Sequence, residues 1–171
     1  LDVGSGSGHH ADLLRGWGWA VHTNSYQPPA DFVGDFMQLE FPDTYSLVWC
    51  CHCLEHQRNP GLFLDKINSL LKPGGWLVIT VPPSKPTIVG GHVSLWNGGL
   101  LLYHLVLAGF DCRMAKVKRY GYNVTVCVQK GEAPDLTGLV YDSGDIARLA
   151  KYLPVKVTGD SFNGDLEAVN W

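Results

Sequence analysis

The chain has 171 residues with 13 Lys and Arg against 16 Asp and Glu, a net charge of −3, and is 46% hydrophobic and 17% charged. That length and apolar content can bury one sizeable core and carry no disorder-type bias, while the acidic balance argues against a nucleic-acid surface. No apolar run approaches the roughly 20 residues of a membrane-spanning helix and no signal-peptide pattern opens the chain, so the reading is of a soluble, cytoplasmic protein that does not enter a membrane.

In chain order, Leu1-Asp2-Val3 is an apolar-acidic strand end running into Gly4, Gly6 and Gly8. Residues without Cβ let the chain turn sharply and let a ligand approach the backbone. A helix over His10 to Gly16 would then aim its N-terminal N–H groups at whatever lies on the loop. Trp19 to Asn24 reads as a second strand, and Gln27-Pro28-Pro29 blocks a helix before a short third strand at Asp31 to Val33. Tyr45 to Cys51 is an apolar run suited to a central strand buried on both faces. Phe63, Ile67, Leu70 and Leu71 recur at helical spacing from Pro60 to Leu71, with Asn59 as N-cap and Pro60 at the first helical position. Lys72-Pro73-Gly74-Gly75 stops that helix before a buried strand at Trp76 to Val81.

A Pro- and Gly-rich loop from Pro82 to Gly91 precedes an apolar helix over Asn97 to Ala108. Cys112 to Val117 and Val124 to Val128 read as two further strands, joined by Tyr120-Gly121-Tyr122-Asn123 and therefore antiparallel. The alternation predicts an α/β fold: a doubly wound, mostly parallel seven-stranded sheet with helices on both faces and the last strand antiparallel. Beyond Lys130 a loop, a short helix near Asp145 to Tyr152 and a polar tail form an extension, 131–171, expected to pack on the domain of residues 1–130. Five cysteines, three of them in Cys50-Cys51-His52-Cys53, fit reduced thiols better than a disulfide framework. Lys116, Lys118 and Arg119 are the one basic cluster, read as a solvated edge.

The glycine spacing narrows the ligand. A dinucleotide fingerprint needs glycine where His9 stands, and a phosphate-binding Walker loop needs a lysine that does not occur before Lys66. What remains, Gly-x-Gly-x-Gly after Leu-Asp-Val, resembles the first motif of class I S-adenosylmethionine (SAM) dependent methyltransferases. Gly34-Asp35-Phe36, Cys51-His52-Cys53-Leu54-Glu55-His56, Leu70-Leu71-Lys72-Pro73-Gly74-Gly75 and Gly109-Phe110 resemble later marks of that family in the right order, over roughly residues 1–130. The resemblance implies a SAM cradle made of Asp2, Gly4, Ser5 and Gly6, with Asp35 and Phe36 at the adenine. Cys51 and His52 would then lie at the methionine end. It also implies a helix before the first strand; since the sequence opens on Leu1, it reads as incomplete at its N-terminus. Asn24 stands where the family places a ribose-binding carboxylate, and being uncharged it should hold the ribose less well. If its side chain faces the ribose, Asn24→Asp should tighten binding.

In-line methyl transfer asks mainly for alignment and exclusion of water, with a base only for a protonated acceptor. His56 and His92 are the candidates to contact or deprotonate that acceptor, Glu55 a structural anchor for nearby backbone, and Trp96 and Tyr103 either pocket lining or core. The acceptor is expected to be a small or glycan-like molecule. Two other readings remain: a non-catalytic SAM-fold partner protein, suggested by Asn24, and a NAD-dependent oxidoreductase. No metal site is expected. His52-Cys53-Leu54-Glu55-His56 fits the inverted zinc-peptidase pattern H-x-x-E-H, but that chemistry needs a regular helix and a third ligand, and here the motif leaves a strand and runs into Asn59-Pro60. Cys50 and Cys53 form a C-x-x-C with no second pair and read as core thiols.

Overall fold

The computed structural model describes all of residues 1–171. Eight strands form one sheet: β1 (Asp2–Val3), β2 (Thr23–Ser25), β3 (Phe32–Val33), β4 (Tyr45–Cys51), β5 (Leu71–Val81), β6 (Lys116–Tyr120), β7 (Asn123–Gln129) and β8 (Ala168–Val169). Their spatial order is β3-β2-β1-β4-β5-β7-β6-β8. β1 pairs in parallel with both β2 and β4, β4 in parallel with β5, and β7 runs antiparallel between β5 and β6. The chain moves one way from β1 to β2 and the other way from β4 to β5. Right-handed crossovers therefore put α1 (His9–Gly16) and α2 (Pro60–Leu70) on opposite faces. The third helix, α3 (Gly98–Leu107), packs beside α2, and α4 (Asp145–Leu149) lies in the C-terminal segment.

Why these residues take these forms is visible locally. Val48, Cys50, Leu77, Ile79, Val124, Val126 and Val128 share one face of the sheet and are all essentially inaccessible. On the other face Leu47, Trp49, Cys51, Val78 and Cys127 are only partly buried and Trp76 is exposed, so β4 and β5 alternate in burial rather than being buried on both faces as the apolar runs suggested. The inaccessible set joins Phe63, Leu64, Ile67, Leu101, Leu102 and Leu105 from the helices in one continuous core. Asn97 caps α3, its Oδ1 accepting from Leu100 N at 2.8 Å. Asn59 does not cap α2 with its side chain, contrary to the sequence reading; the helix starts on Pro60, whose φ is already helical.

The sheet differs from the sequence reading in four places. Strand β2 begins at Thr23 rather than Trp19, because Trp19 N is drawn back to Leu14 O at the end of α1. Strand β5 reaches back to Leu71, with an irregular register between Tyr45 and Leu47; a Cβ on Gly75 would lie 2.9 Å from Lys72 O and 3.0 Å from Tyr45 O. Strand β6 begins at Lys116 rather than Cys112, because Ala115 N turns back to Cys112 O and the chain from Cys112 is tied to Tyr152 O. An eighth strand comes from the tail: Ala168 and Val169 pair antiparallel with Lys118 and Val117.

The tail is also packed tightly onto α3. Gly99 N donates to Gly164 O at 2.9 Å, and a Cβ on Gly99 would fall 2.5 Å from the Gly164 Cα. Leu149 and Leu153 enter the core. Two members of the basic cluster meet this segment: Arg119 on β6 lies 2.7 Å from Asp165 and 3.4 Å from Glu167, and Lys118 lies over the Trp171 ring, while Lys116 is exposed.

Candidate functional site

In an open α/β sheet ligands bind beyond the carboxyl ends of the strands where the winding reverses. Here that point lies between β1 and β4, and an 830 Å³ cavity opens there, a size ordinary for small-molecule sites. Four segments wall it. Gly4, Gly6 and Ser7 come from the loop after β1, and Asn24 to Pro29 from β2 and the turn that follows. Gly34 and Phe36 follow β3, and His52, Cys53, His56 and Gln57 follow β4.

The glycine loop is built as the sequence requires. Gly4, Gly6 and Gly8 have φ of 72°, 54° and 83°, in the left-handed region that residues with a Cβ avoid. A Cβ on Gly4 would lie 3.0 Å from Cys53 Sγ, so the loop after β1 and the segment after β4 touch without room for a methyl group. Around Gly6 nothing lies within 4 Å, leaving its backbone open to a ligand. The loop is anchored from below: Ser5 N and Oγ both donate to Asn24 O, at 2.8 and 3.1 Å.

Asn24 does not hold the posture that the ribose argument assumes. It is buried, and its amide nitrogen donates to Phe32 O at 3.1 Å and Gly34 O at 3.2 Å, tying β2 to the end of β3. Two carbonyl acceptors settle which end of the amide carries the nitrogen. Asp35 folds back on its own backbone, with Oδ1 accepting from Met37 N at 2.9 Å, and is near Tyr26; desolvation and the Asp35 charge raise the Tyr26 hydroxyl above the usual phenol range. Phe36 packs edge-on against Phe63 with centroids 5.0 Å apart, so an aromatic floor joins the cavity to the core.

After β4 the backbone is strained. His52 has φ of 51°, an uncommon value for a residue with a Cβ, and its ring is held on both sides: Nδ1 is 3.2 Å from Glu55 Oε1 and Nε2 is 2.8 Å from Asn123 Oδ1. Leu54 to His56 form one 3-10 turn rather than a regular helix, so His52 and His56 are not the successive-turn pair of a zinc-peptidase motif. Glu55 is wholly buried; it anchors neighbouring backbone through its own carbonyl, which accepts from Val93 N and Ser94 N, while its carboxyl turns to the His52 ring. His56 Nδ1 lies 2.8 Å from Gly91 O and donates to it, which in the neutral ring leaves the lone pair on Nε2. The His92 ring stands edge-on to His56 at 5.0 Å.

Of the residues picked out in the sequence, Gly4, Gly6, Asn24, Phe36, His52 and His56 line the cavity. Asp2, Ser5, Asp35, Cys51 and His92 stand outside its lining. Asp2 is buried beneath the loop with Oδ2 unpartnered, and burial raises its pKa despite His10 and the Ala11 amide nearby. Cys51 is half-buried, and burial pushes its thiol up. Cys50 is buried, its thiol raised well above the usual range by a hydrogen bond with Cys53 and by burial; all five cysteines are free thiols. Trp96 is core, its ring edge-on to His104, and neither it nor Tyr103 reaches the cavity. The sequence reading missed Ser25, Tyr26, Gln27 and Gln57 as lining residues. Gln27-Pro28-Pro29 was legible as a helix block; that the turn it makes between β2 and β3 walls the cavity was not.

A glycine cradle at the winding reversal, in a sheet of this order, defines a Rossmann-like methyltransferase fold. The chain belongs to the Methyltransferase domain family, whose pattern residues 1–125 match. Among curated proteins it is similar to the ubiquinone biosynthesis O-methyltransferases of Burkholderia orbicola and Burkholderia cenocepacia, each 30% identical over 45% of this chain and 41% of the relative. The chain thus matches about two-fifths of the length of those relatives. Among solved structures it resembles the 1,6-didemethyltoxoflavin-N1-methyltransferase of Burkholderia thailandensis, determined with 1,6-didemethyltoxoflavin and S-adenosylhomocysteine, with a TM-score of 0.66 and 20% identity over 77% of this chain and 70% of that one. It also resembles a SAM dependent methyltransferase from Archaeoglobus fulgidus, with a TM-score of 0.64 and 17% identity over 76% and 85%. No helix is long and apolar enough to cross a membrane.

Proposed function

We propose that the cavity binds S-adenosylmethionine and that the chain transfers its methyl group to a small-molecule or glycan-like acceptor. The observation that carries this reading is the Gly4–Gly8 loop, held at positive φ with its backbone bare at Gly6, opening onto the cavity at the reversal point. The residues present fit such a group: backbone at Gly4 and Gly6 can meet its amino-acid end, and the Asn24–Pro29 wall with Phe36 can take its nucleoside. Bound there, the sulfonium supplies an already electrophilic methyl carbon.

The chain's own residues then have three tasks. Loop and wall fix the direction of approach, which is where most of the rate in such a displacement arises. Phe36 and Pro28-Pro29 keep water from one side of the cavity. His56, with Nδ1 committed to Gly91 O, offers Nε2 to an acceptor hydroxyl or amine and can take its proton. The names of the relatives, one an O-methyltransferase of ubiquinone biosynthesis and one an N1-methyltransferase determined with its small molecule, support an acceptor of that size.

Titration calorimetry with S-adenosylhomocysteine and, separately, with NAD tests the reading. Binding of S-adenosylhomocysteine alone is expected. Binding of neither would favour a non-catalytic partner protein, and binding of NAD alone would favour an oxidoreductase; either outcome ends the proposal.

A further inference from the structure

The structure assigns a divalent transition-metal site to Glu55, His56 and His92, at the edge of the cavity and distinct from the contacts proposed for the cofactor. One ligand atom from each of these residues lies within 4.8 Å of the others. They come from two elements, the turn after β4 and the loop before α3, joined by hydrogen bonds from Val93 N and Ser94 N to Glu55 O at 2.8 and 3.3 Å. His92 is therefore carried to His56 by backbone pairing.

Two features mark the cluster as more than a crowd of polar groups. The Glu55 carboxyl is inaccessible and its Oε2 has no hydrogen-bond partner. An unpartnered buried oxygen of this kind is costly unless something answers it. His56 is set up as a ligating histidine commonly is: Nδ1 donates to a backbone carbonyl, Gly91 O at 2.8 Å, which fixes the tautomer and leaves Nε2 free, 3.8 Å from Glu55 Oε1. A Cβ on Gly91 would come within 3.2 Å of His56 Nδ1, so the carbonyl is held close.

Two imidazoles and a carboxylate are the donor set of a three-ligand zinc site with an open fourth position. Tetrahedral ligands at about 2.1 Å from a metal stand about 3.4 Å apart, a closing motion within reach of the half-exposed His92 side chain. The mixed nitrogen and oxygen set favours zinc, cobalt or nickel over magnesium and calcium, which prefer oxygen throughout. Because His56 also lines the cavity, an acceptor hydroxyl could occupy the open position. There the cation would lower its pKa and the O–H bond would break with its electron pair left on oxygen; with His56 Nε2 then occupied as a ligand it would no longer serve as the base, and the proton would pass to water. That consequence rests on the methyl-transfer reading; cation binding does not.

The test uses the metal-stripped chain without cofactor, titrated with Zn²⁺ by calorimetry and with Co²⁺ by visible absorption, alongside Mg²⁺. Expected are one equivalent of Zn²⁺ and Co²⁺, no Mg²⁺ binding, intense tetrahedral Co²⁺ bands without sulfur charge transfer, and at least a tenfold loss of affinity in His92→Ala. Glu55→Gln should weaken binding as well, but its burial threatens folding, so His92→Ala, on a surface loop, is the deciding variant, with its fold checked by circular dichroism. Unchanged Zn²⁺ affinity in folded His92→Ala, sulfur charge-transfer bands from Cys51 or Cys53, or no binding at all would overturn the site. S-adenosylhomocysteine titrated in the presence of a chelator tests the cofactor reading separately.

Discussion

Replacing Asn24 by aspartate separates two accounts of the cavity wall. A carboxylate facing the ribose would tighten cofactor binding, as the sequence suggests. In the fold the Asn24 amide instead donates to Phe32 O and Gly34 O, at 3.1 and 3.2 Å, from a side chain that is 2% exposed. Aspartate removes both donors and sets a negative oxygen against two carbonyl lone pairs. Losing two such bonds, whose acceptors are part-buried, costs about 1–3 kcal/mol, which for a chain of this length lowers the melting temperature by roughly 2–12 °C. Because only the neutral acid can donate a hydrogen bond there, the folded state would raise the pKa of residue 24 above its unfolded value. The loss should then be largest above that raised pKa and should shrink as the pH falls through it. Thermal melts of both proteins from pH 4 to pH 8, with and without S-adenosylhomocysteine, read this directly. A variant that melts within a degree or two of the parent and binds S-adenosylhomocysteine more tightly would refute the reasoning and return Asn24 to the ribose.

Gly4→Ala should abolish measurable S-adenosylhomocysteine binding and cost about 1–3 kcal/mol of stability, because φ is 72° and the new methyl group would press on Cys53 Sγ at 3.0 Å; retained affinity in calorimetry would take this loop out of the site. Phe63→Ala should cost about 3–5 kcal/mol in chemical denaturation, since Phe63 is wholly buried and supports Phe36 in the cavity floor; a loss below about 1 kcal/mol would show that the floor does not depend on it. Burial raises the Asp2 pKa, so its contribution relative to Asp2→Asn is fully present below the unfolded value of 3.8 and is lost as the pH rises through the folded one; denaturation curves whose difference is flat with pH would contradict this. Gly99→Val should loosen the C-terminal segment from α3, since even a Cβ would sit 2.5 Å from Gly164 Cα; the expected readout is faster proteolysis beyond residue 130 with the rest of the chain protected, and an unchanged cleavage pattern would argue against it.

How much was legible in the sequence follows from the range of each interaction. The Gly4-x-Gly6-x-Gly8 loop, the apolar runs of β4 and β5, and the two-residue turn at Gly121-Tyr122 were readable because backbone sterics and local burial decide them within a few residues. Strand starts were less readable. Trp19 has the composition of a strand but is held by the end of α1, and Cys112 looks like a strand residue but opens a turn back from Ala115. Ala168 and Val169 carry no strand signal of their own, and they pair because the edge of β6 was free and the tail was brought to it.

The same division holds at the site. Sequence alone determined that a glycine cradle follows the first strand, that His9 and the missing lysine disfavour a dinucleotide and a triphosphate, and that a Leu54-Glu55-His56 segment follows the fourth strand, because these are matters of residue type and spacing. Only the tertiary structure decided what each side chain does there. It spent the Asn24 amide on β3, left one oxygen of buried Glu55 without a partner, and brought His92 to His56 from 36 positions along the chain. Direction of a side chain depends on which backbone groups need a partner once the chain has packed, and that demand is set by neighbours distant in sequence.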